Sequence, residues 1–249
     1  MFKSLSIVIA LSLLSAGVFA NDTATMVKNA DAYRLDTASA KVVSLVTLYK
    51  NGELDKTRQY NVYTRPERES LVVFKSPVEA GQKMLMLGDN YWLVMPKSRR
   101  PIRITPMQKL LGEASVGDVS TLTWSQDYRA TLTAQETLTT NERAVLANQL
   151  SLQSVTQGAS YDRIELWLES ESDFPIKADL YLKSGKLAKQ ALFEQGERDG
   201  QSRVVSMTLI DKIQPAKKTV IEYQQVTAHQ LEDKYYIPAF LTRNALSEL

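Results

Sequence analysis

Lys83-Met84-Leu85-Met86-Leu87, a turn at Gly88-Asp89-Asn90, then Tyr91-Trp92-Leu93-Val94-Met95: no stretch between residue 21 and the C-terminus is more apolar than this hairpin. A strand with one wet face alternates apolar and polar residues. Neither arm alternates here, so both faces of the hairpin need cover. Upstream, residues 40–50, 58–64 and 69–75 read as strands, separated by the turn signals Asn51-Gly52 and Ser76-Pro77. Downstream, 99–104 reads as one more.

Helices interrupt this run. Thr105 is a good N-cap, with Pro106 at the first helical position and Gln108 completing a capping box. Met107, Leu110 and Leu111 share a face and Gly112 can close the end, so a helix is predicted over 105–112. A second short helix is predicted over 118–124. A third opens the chain after the leader, near 22–33, capped by Asn21 or Asp22 with Met26, Ala30 and Tyr33 on one face. Strand patterns resume at 128–138, 143–152, 161–168, 176–182, 188–193, 203–213 and 219–228, with turns at Ser184-Gly185 and Asp199-Gly200, and a short helix follows Pro238. Helix, antiparallel strands, helices, then strands again is the pattern of one α+β domain built on a large curved sheet. No linker or repeat splits residues 21–249.

Residues 1–20 read as a secretory signal peptide: Lys3 for the positive region, 5–14 for the apolar region, and Val18-Phe19-Ala20 for cleavage after Ala20. The apolar run falls short of the roughly 20 residues that span a bilayer. The expected location is the periplasm.

Composition excludes several chemistries. The chain has no cysteine, which removes disulfides, thiol nucleophiles, thiolate metal sites and a lipidated N-terminal Cys. His229 is its single histidine, so a His-rich metal centre is impossible, and it reads as a surface or strand-end residue. There is no GxSxG elbow, P-loop or GxGxxG. The pairs Glu165/Glu169 and Glu169/Glu171 sit on an alternating strand, where carboxylates form the solvated face rather than a glycosidase dyad. No catalytic residue, metal or cofactor is expected. A net charge of +2 without a basic stripe leaves no footprint for nucleic acid. Helices between the strands argue against an outer-membrane barrel.

Around the hairpin the order of motifs resembles the outer-membrane lipoprotein-sorting family. Phe74-Lys75-Ser76-Pro77 with Gly81 matches its P-x-x-x-G step. Trp92-Leu93-Val94-Met95-Pro96 matches its W-x-Y-x-P strand with Val94 in place of Tyr, and Arg99-Arg100-x-x-Arg103-Ile104 matches its RR…RI. Leu111-Gly112 followed by Asp118 is similar to its GS-x-x-x-x-D step, with Glu113 where Ser is common. Phe174-Pro175-Ile176-Lys177, Lys186, Lys189, Asp211 and the Phe240 to Leu246 region also fit.

The resemblance implies a LolA/LolB-like fold: an unclosed, curved antiparallel β half-barrel covered by short helices, holding acyl chains of lipids or lipoproteins in between. On that reading Met84, Met86, Trp92, Val94, Met107, Leu110, Leu111 and Trp124 line an apolar cleft, flexible Met side chains suiting a variable ligand. Leu85, Leu87, Leu93 and Met95 are the alternative lining. Arg99, Arg100 and Arg103 are the candidates for a headgroup or partner. A 16-carbon chain buried there gains on the order of 12 kcal/mol gross, at about 0.8 kcal/mol per methylene. The alternative is a non-enzymatic accessory subunit of an inner-membrane exporter, whose cleft is merely core.

Overall fold

The computed structural model describes residues 17–35, 39–96, 98, 100–120, 123–140, 143–214 and 216–243. Residues 1–16 of the predicted leader lie outside them. Helix α1 (Gly17–Arg34) runs across the predicted cleavage point. Among the described residues no helix is long and apolar enough to cross a membrane.

Strands β1 (Ala40–Lys50), β2 (Glu53–Arg65), β3 (Glu69–Phe74), β4 (Lys83–Leu87), β5 (Asn90–Val94) and β6 (Ile102–Ile104) follow one another as a meander. After a short hairpin, β7 (Lys109–Leu111) and β8 (Ala114–Ser115), comes α2 (Val116–Ser120). A second meander then runs through β9 (Tyr128–Thr140), β10 (Arg143–Ser154), β11 (Arg163–Glu169), β12 (Pro175–Tyr181), β13 (Leu187–Arg198), β14 (Gln201–Asp211) and β15 (Lys217–Ala228). The chain reaches α3 (Pro238–Arg243) through a 3-10 turn at Asp233–Tyr236. Among the described residues thirteen strands form one antiparallel sheet, ordered β6-β5-β4-β3-β2-β1-β15-β14-β13-β12-β11-β10-β9. The two meanders join where β1 pairs with β15. The sheet is open, with β6 and β9 at its edges, as the half-barrel reading expects.

Turn chemistry accounts for the hairpins. Asn51 and Gly52 have φ of 52° and 85°, and Asp199 and Gly200 have 52° and 71°. Positive φ at both central residues is the turn whose twist matches paired strands.

The sheet curls until its flanks meet at one rim. Tyr91 on β5 donates its hydroxyl to the Gly158 carbonyl in the β10–β11 loop at 3.2 Å, and the Gly158 amide donates to Asp89 at 3.0 Å. Arg68 joins the same clasp, 2.8 Å from Asp89 and 2.6 Å from buried Asp127. Burial pushes the Asp89 carboxyl up, but Arg68 and the loop amides outweigh it and hold it below the usual carboxylate range.

Both faces of the hairpin are covered, by different material. Met84, Met86 and Tyr91 join the large core on the concave face, with Val42, Tyr60 and Val62, on the side that α2 covers. Leu85 and Val94, with Tyr63, Leu71 and Val73, point the other way and are roofed by Leu231, Tyr236 and Leu241 from the C-terminal segment. Trp92 and Leu87 pack on this second core.

Three expectations need correction. The turn between β4 and β5 is Gly88-Asp89, because Leu87 pairs with Asn90 and Met86 with Tyr91. A three-residue turn would have set Met86 opposite Trp92 and Met84 opposite Val94. The shorter turn sends Trp92 and Val94 to the opposite face. Residues 105–112 form no helix. The Gln108 amide donates to the Thr105 carbonyl in a single turn, and then Val116 and Gly117 donate back to Gln108 and Pro106, at 2.9 Å each. Gly112, φ 56°, is the bend of the β7–β8 hairpin rather than a helix end. A Cβ there would fall 2.5 Å from Thr219 Oγ1, so chain and sheet meet too closely for a wider element. The predicted 118–124 helix is α2, shorter and shifted toward the N-terminus, with 121–122 outside the described residues.

Candidate functional site: the concave face and its helical cover

α2 is held to the sheet by a buried ion pair. Its Asp118 lies 2.8 Å from the Lys189 ammonium of β13, the two side chains 4% and 3% exposed. Asp118 also accepts from the Ser115 amide and hydroxyl, at 2.8 and 2.7 Å, and from the Tyr161 hydroxyl at 2.8 Å. Lys189 donates to the Glu113 carbonyl as well. Burial drives the Asp118 carboxyl upward, but the Lys189 charge and these hydrogen bonds overcome it, so its pKa is lowered. Asp118 and Lys189, both among the residues of the family resemblance, thus meet in space. The cluster is satisfied on every side and is structural in kind.

α1 lies across the other half of the concave face, packed on β9 and β14. Val27 and Ala30 make its apolar contact, but Thr23, Asp31 and Arg34 are buried on the same stripe. Asp31 accepts the backbone amides of Trp124 and Ser125 at 2.7 and 2.8 Å. Burial raises its carboxyl pKa, opposed by Arg34 and those amides. The Arg34 guanidinium stacks 4.1 Å over the Trp124 ring. Thr23 donates to Ala130, Asn29 to Asp173 and Tyr33 to Ser172. The Tyr33 ring meets Phe174 edge-on at 5.1 Å. α1 is therefore fastened to β9, to the 124–125 loop and to the β11–β12 turn.

Two cavities adjoin this helix-covered half. One of about 40 Å3 lies among Arg34, Asp118, Trp124, Asp127, Tyr161 and Phe193, a lining both charged and apolar. A second, of 230 Å3, opens at the rim over Val145, Phe174, Ile176 and Phe193, with Arg143 and Glu169 at its edge.

The predicted lining divides. Met84, Met86, Leu111 and Trp124 are buried in the concave core, and Met107 and Leu110 pack on it. Trp92 and Val94 belong to the other face. Of the eight, only Trp124 borders either of these two cavities. The alternative set also splits, Leu93 going to the concave core and Leu85 and Leu87 to the outer one. Among the arginines, Arg99 lies outside the described residues. Arg100 is exposed, and Arg103 stacks 4.7 Å over Trp92 and donates to Asn90 at 2.6 Å. Sequence reading missed Asp31, Arg34, Phe174 and Phe193 as parts of this half. The available signal for the first two was their spacing with Val27 and Ala30, which places charged groups on the buried stripe of a helix.

Among the described residues no group of three or more His, Asp or Glu side chains is placed to hold a metal ion.

Three solved structures share this architecture. The chain is similar to a LolA superfamily protein from Nitrosomonas europaea, with a TM-score of 0.79 and 24% identity over 88% of this chain and 98% of that one. A DUF1329 family protein from Desulfovibrio piger gives 0.71 and 19%, covering 90% and 99% of the two chains. A domain described as an outer membrane lipoprotein-sorting protein from Vibrio parahaemolyticus gives 0.70 and 19%, covering 90% and 100%. At these identities the likeness is one of fold, and the fold is the LolA-like open curved β-sheet. No curated protein matches the sequence. A family model described as "Uncharacterized protein"-like matches residues 66–243, from the β2–β3 turn to the end of α3, and the chain belongs to that family.

Proposed function

We propose that this protein is a periplasmic, non-enzymatic carrier that shelters an acyl chain of a lipid or lipoprotein between α1 and the concave face of the β9–β14 wing, on its way toward the outer membrane. The observation that carries the reading is the cavity of 230 Å3 lined by Val145, Phe174, Ile176 and Phe193 together with Thr140, Arg143, Glu169 and Gln195, next to the point where Tyr33 of α1 packs on Phe174. An apolar floor with a charged edge suits a ligand with a greasy tail and a wet headgroup. The solved relatives described as LolA superfamily and lipoprotein-sorting proteins lend support. Met84, Met86, Met107, Leu110 and Leu111, first expected to line the cleft, pack in the concave core, and this reading places the ligand on the other wing, where Trp124 lies.

Native mass spectrometry of protein released from its own periplasm by osmotic shock, without detergent, tests the reading. A co-purified mass in the range of a fatty acid or phospholipid is expected. The same spectrum checks the leader, since cleavage after Ala20 gives a chain starting at Asn21. Protein that is lipid-free, and that takes up no fatty acid on addition, would remove the carrier reading and favour an accessory role at an exporter.

A further inference from the structure

The topology gathers into one row of turns what the sequence scatters. Asn51 in the β1–β2 turn donates its amide to the Ala216 carbonyl in the β14–β15 turn at 3.0 Å, and the Lys212 amide donates to Ala188, just after the β12–β13 turn, at 3.1 Å. Residues 50–56, 183–186 and 212–218 therefore stand side by side at one end of their strands. They hold seven lysines against Glu53 and Asp55, net +5 in a chain whose total is +2, so the rest of the protein is net −3. Two large aliphatic side chains sit among these lysines, Leu54 at 65% and Ile213 at 50% exposure. The turn that presents Ile213 is built by a buried carboxylate: Asp211 accepts the amides of Ile213 and Gln214 at 2.7 and 3.0 Å. Leu54 is paired with Tyr49, Tyr49 with Lys218 and Lys218 with Ile210, one row on the face turned away from the concave core. The Lys218 ammonium lies 4.9 Å over the Tyr49 ring, at the margin of this apolar row.

We propose that this row of turns docks on the surface of an anionic lipid bilayer. Single exposed aliphatic residues need no explanation, but two of them ringed by lysines on adjoining turns match a membrane interface on both counts. The ammonium groups of Lys56, Lys212 and Lys218 meet lipid phosphates, and Leu54 and Ile213 enter the boundary between headgroups and acyl chains. The excess of negative charge over the rest of the protein turns that remainder away from the same surface, so the field of the molecule also sets its orientation. None of the residues lining the 230 Å3 cavity comes from these turns, so the docking surface and the carrier reading are tested apart.

The test is cosedimentation of the protein with vesicles of equal parts phosphatidylglycerol and phosphatidylcholine. Binding is expected at about 0.05 M salt and should be at least tenfold weaker at about 0.3 M, because salt screens surface charge. Vesicles of phosphatidylcholine alone should bind at least tenfold more weakly too. Combining Lys56→Gln, Lys212→Gln and Lys218→Gln should weaken binding tenfold or more, and combining Leu54→Ser with Ile213→Ser fivefold or more. A control that removes the same charge from exposed positions elsewhere, Lys28→Gln with Lys75→Gln and Arg129→Gln, should stay within twofold of wild type. Every substituted side chain is exposed, and thermal unfolding checks that each variant folds. Insertion has its own readout. The chain has no cysteine, so Leu54→Cys or Ile213→Cys takes a single environment-sensitive dye, whose emission should shift to the blue on anionic vesicles. The same dye on Leu146→Cys, 48% exposed on β10, should not shift. Wild type that ignores anionic vesicles overturns the docking surface, and so does a control triple that weakens binding as much as the lysine triple. Binding without a dye shift at 54 and 213 refutes the proposed contact as well. The carrier reading survives any of these results, since bound lipid decides it.

Discussion

Replacing Lys189 by Met removes the ammonium that faces Asp118 while keeping most of the side chain's length and volume. The structure sets the size of the effect. Asp118 sits with its side chain 4% exposed, 2.8 Å from Lys189 Nζ, and its other partners are neutral donors from Ser115 and Tyr161. Taking away one member of a buried pair leaves an uncompensated carboxylate, at a cost of about 3–5 kcal/mol. The Glu113 carbonyl loses its donor too. For a chain of this size, 1 kcal/mol shifts the melting temperature by about 2–4 °C. A fall on the order of 6–20 °C is expected. Adding Asp118→Asn should recover most of it, because the double variant buries no charge. The pH dependence is the sharper check. In wild type the Asp118 pKa lies below its ordinary 3.8, so its stabilisation is complete above that value and is lost as pH falls through the lowered one. Without Lys189, burial dominates and the carboxyl pKa rises. The variant is then relatively most stable in acid and loses ground as pH rises. Urea unfolding followed by tryptophan fluorescence should show the deficit largest at pH 7 and smaller at pH 4.5. A deficit under about 1 kcal/mol, or one that ignores pH, would refute the claim that this pair pins α2.

Two further substitutions probe the clasp and the helical cover. A Cβ on Gly158 would lie 2.7 Å from Asp89 Cα, a backbone atom, so Gly158→Ala must push the β4–β5 tip away; a loss of about 1–3 kcal/mol is expected, with faster amide exchange at 87–91, and unchanged exchange there would count against the clasp. Asp31→Ala strips the Trp124 and Ser125 amides of their acceptor; it should cost about 1–3 kcal/mol and speed exchange across 23–34 first, whereas uniform loosening of the whole chain would show that α1 is not separately latched.

The strands were legible because their punctuation was. Asn51-Gly52 and Asp199-Gly200 mark tight turns with positive φ, and the segments between turn signals carry the β-branched residues that pleated sheets favour. The absence of a polar face on the 83–95 hairpin correctly foretold two covers, the α2 side of the large core on one face and the Leu231–Leu241 segment on the other. Which residue met which cover was not legible. Gly88-Asp89-Asn90 reads equally well as a two-residue or a three-residue turn, and one residue of turn length exchanges the faces of the whole partner strand. Thr105-Pro106-x-Gln108 misled for a related reason. It starts a turn whether or not a helix follows, and only tertiary contact, Gly112 against Thr219 and Leu48, decides that it does not.

The proposed rim site was hidden for a different reason. Phe174 and Phe193 come from separate strands, and α1 reaches the sheet from the opposite end of the sequence. The β12–β13 pairing sets Phe174 beside Phe193, and neither strand order nor the landing place of α1 leaves a periodic trace in any one segment. α1 is also a weak amphipath by sequence, since Thr23, Asp31 and Arg34 occupy part of its buried stripe. A helix meant only to seal a core would carry leucines there, at about 1.5–3 kcal/mol each for burial. Here the attachment is made instead by directional bonds to Ala130, Asp173, Ser172 and the 124–125 amides. Bonds of that kind fix orientation with few large apolar side chains, Val27 and Ala30 being the buried apolar residues of the stripe. On the carrier proposal, such a cover holds a defined shape when empty and leaves apolar wall for a tail, which a leucine-packed lid would already have consumed.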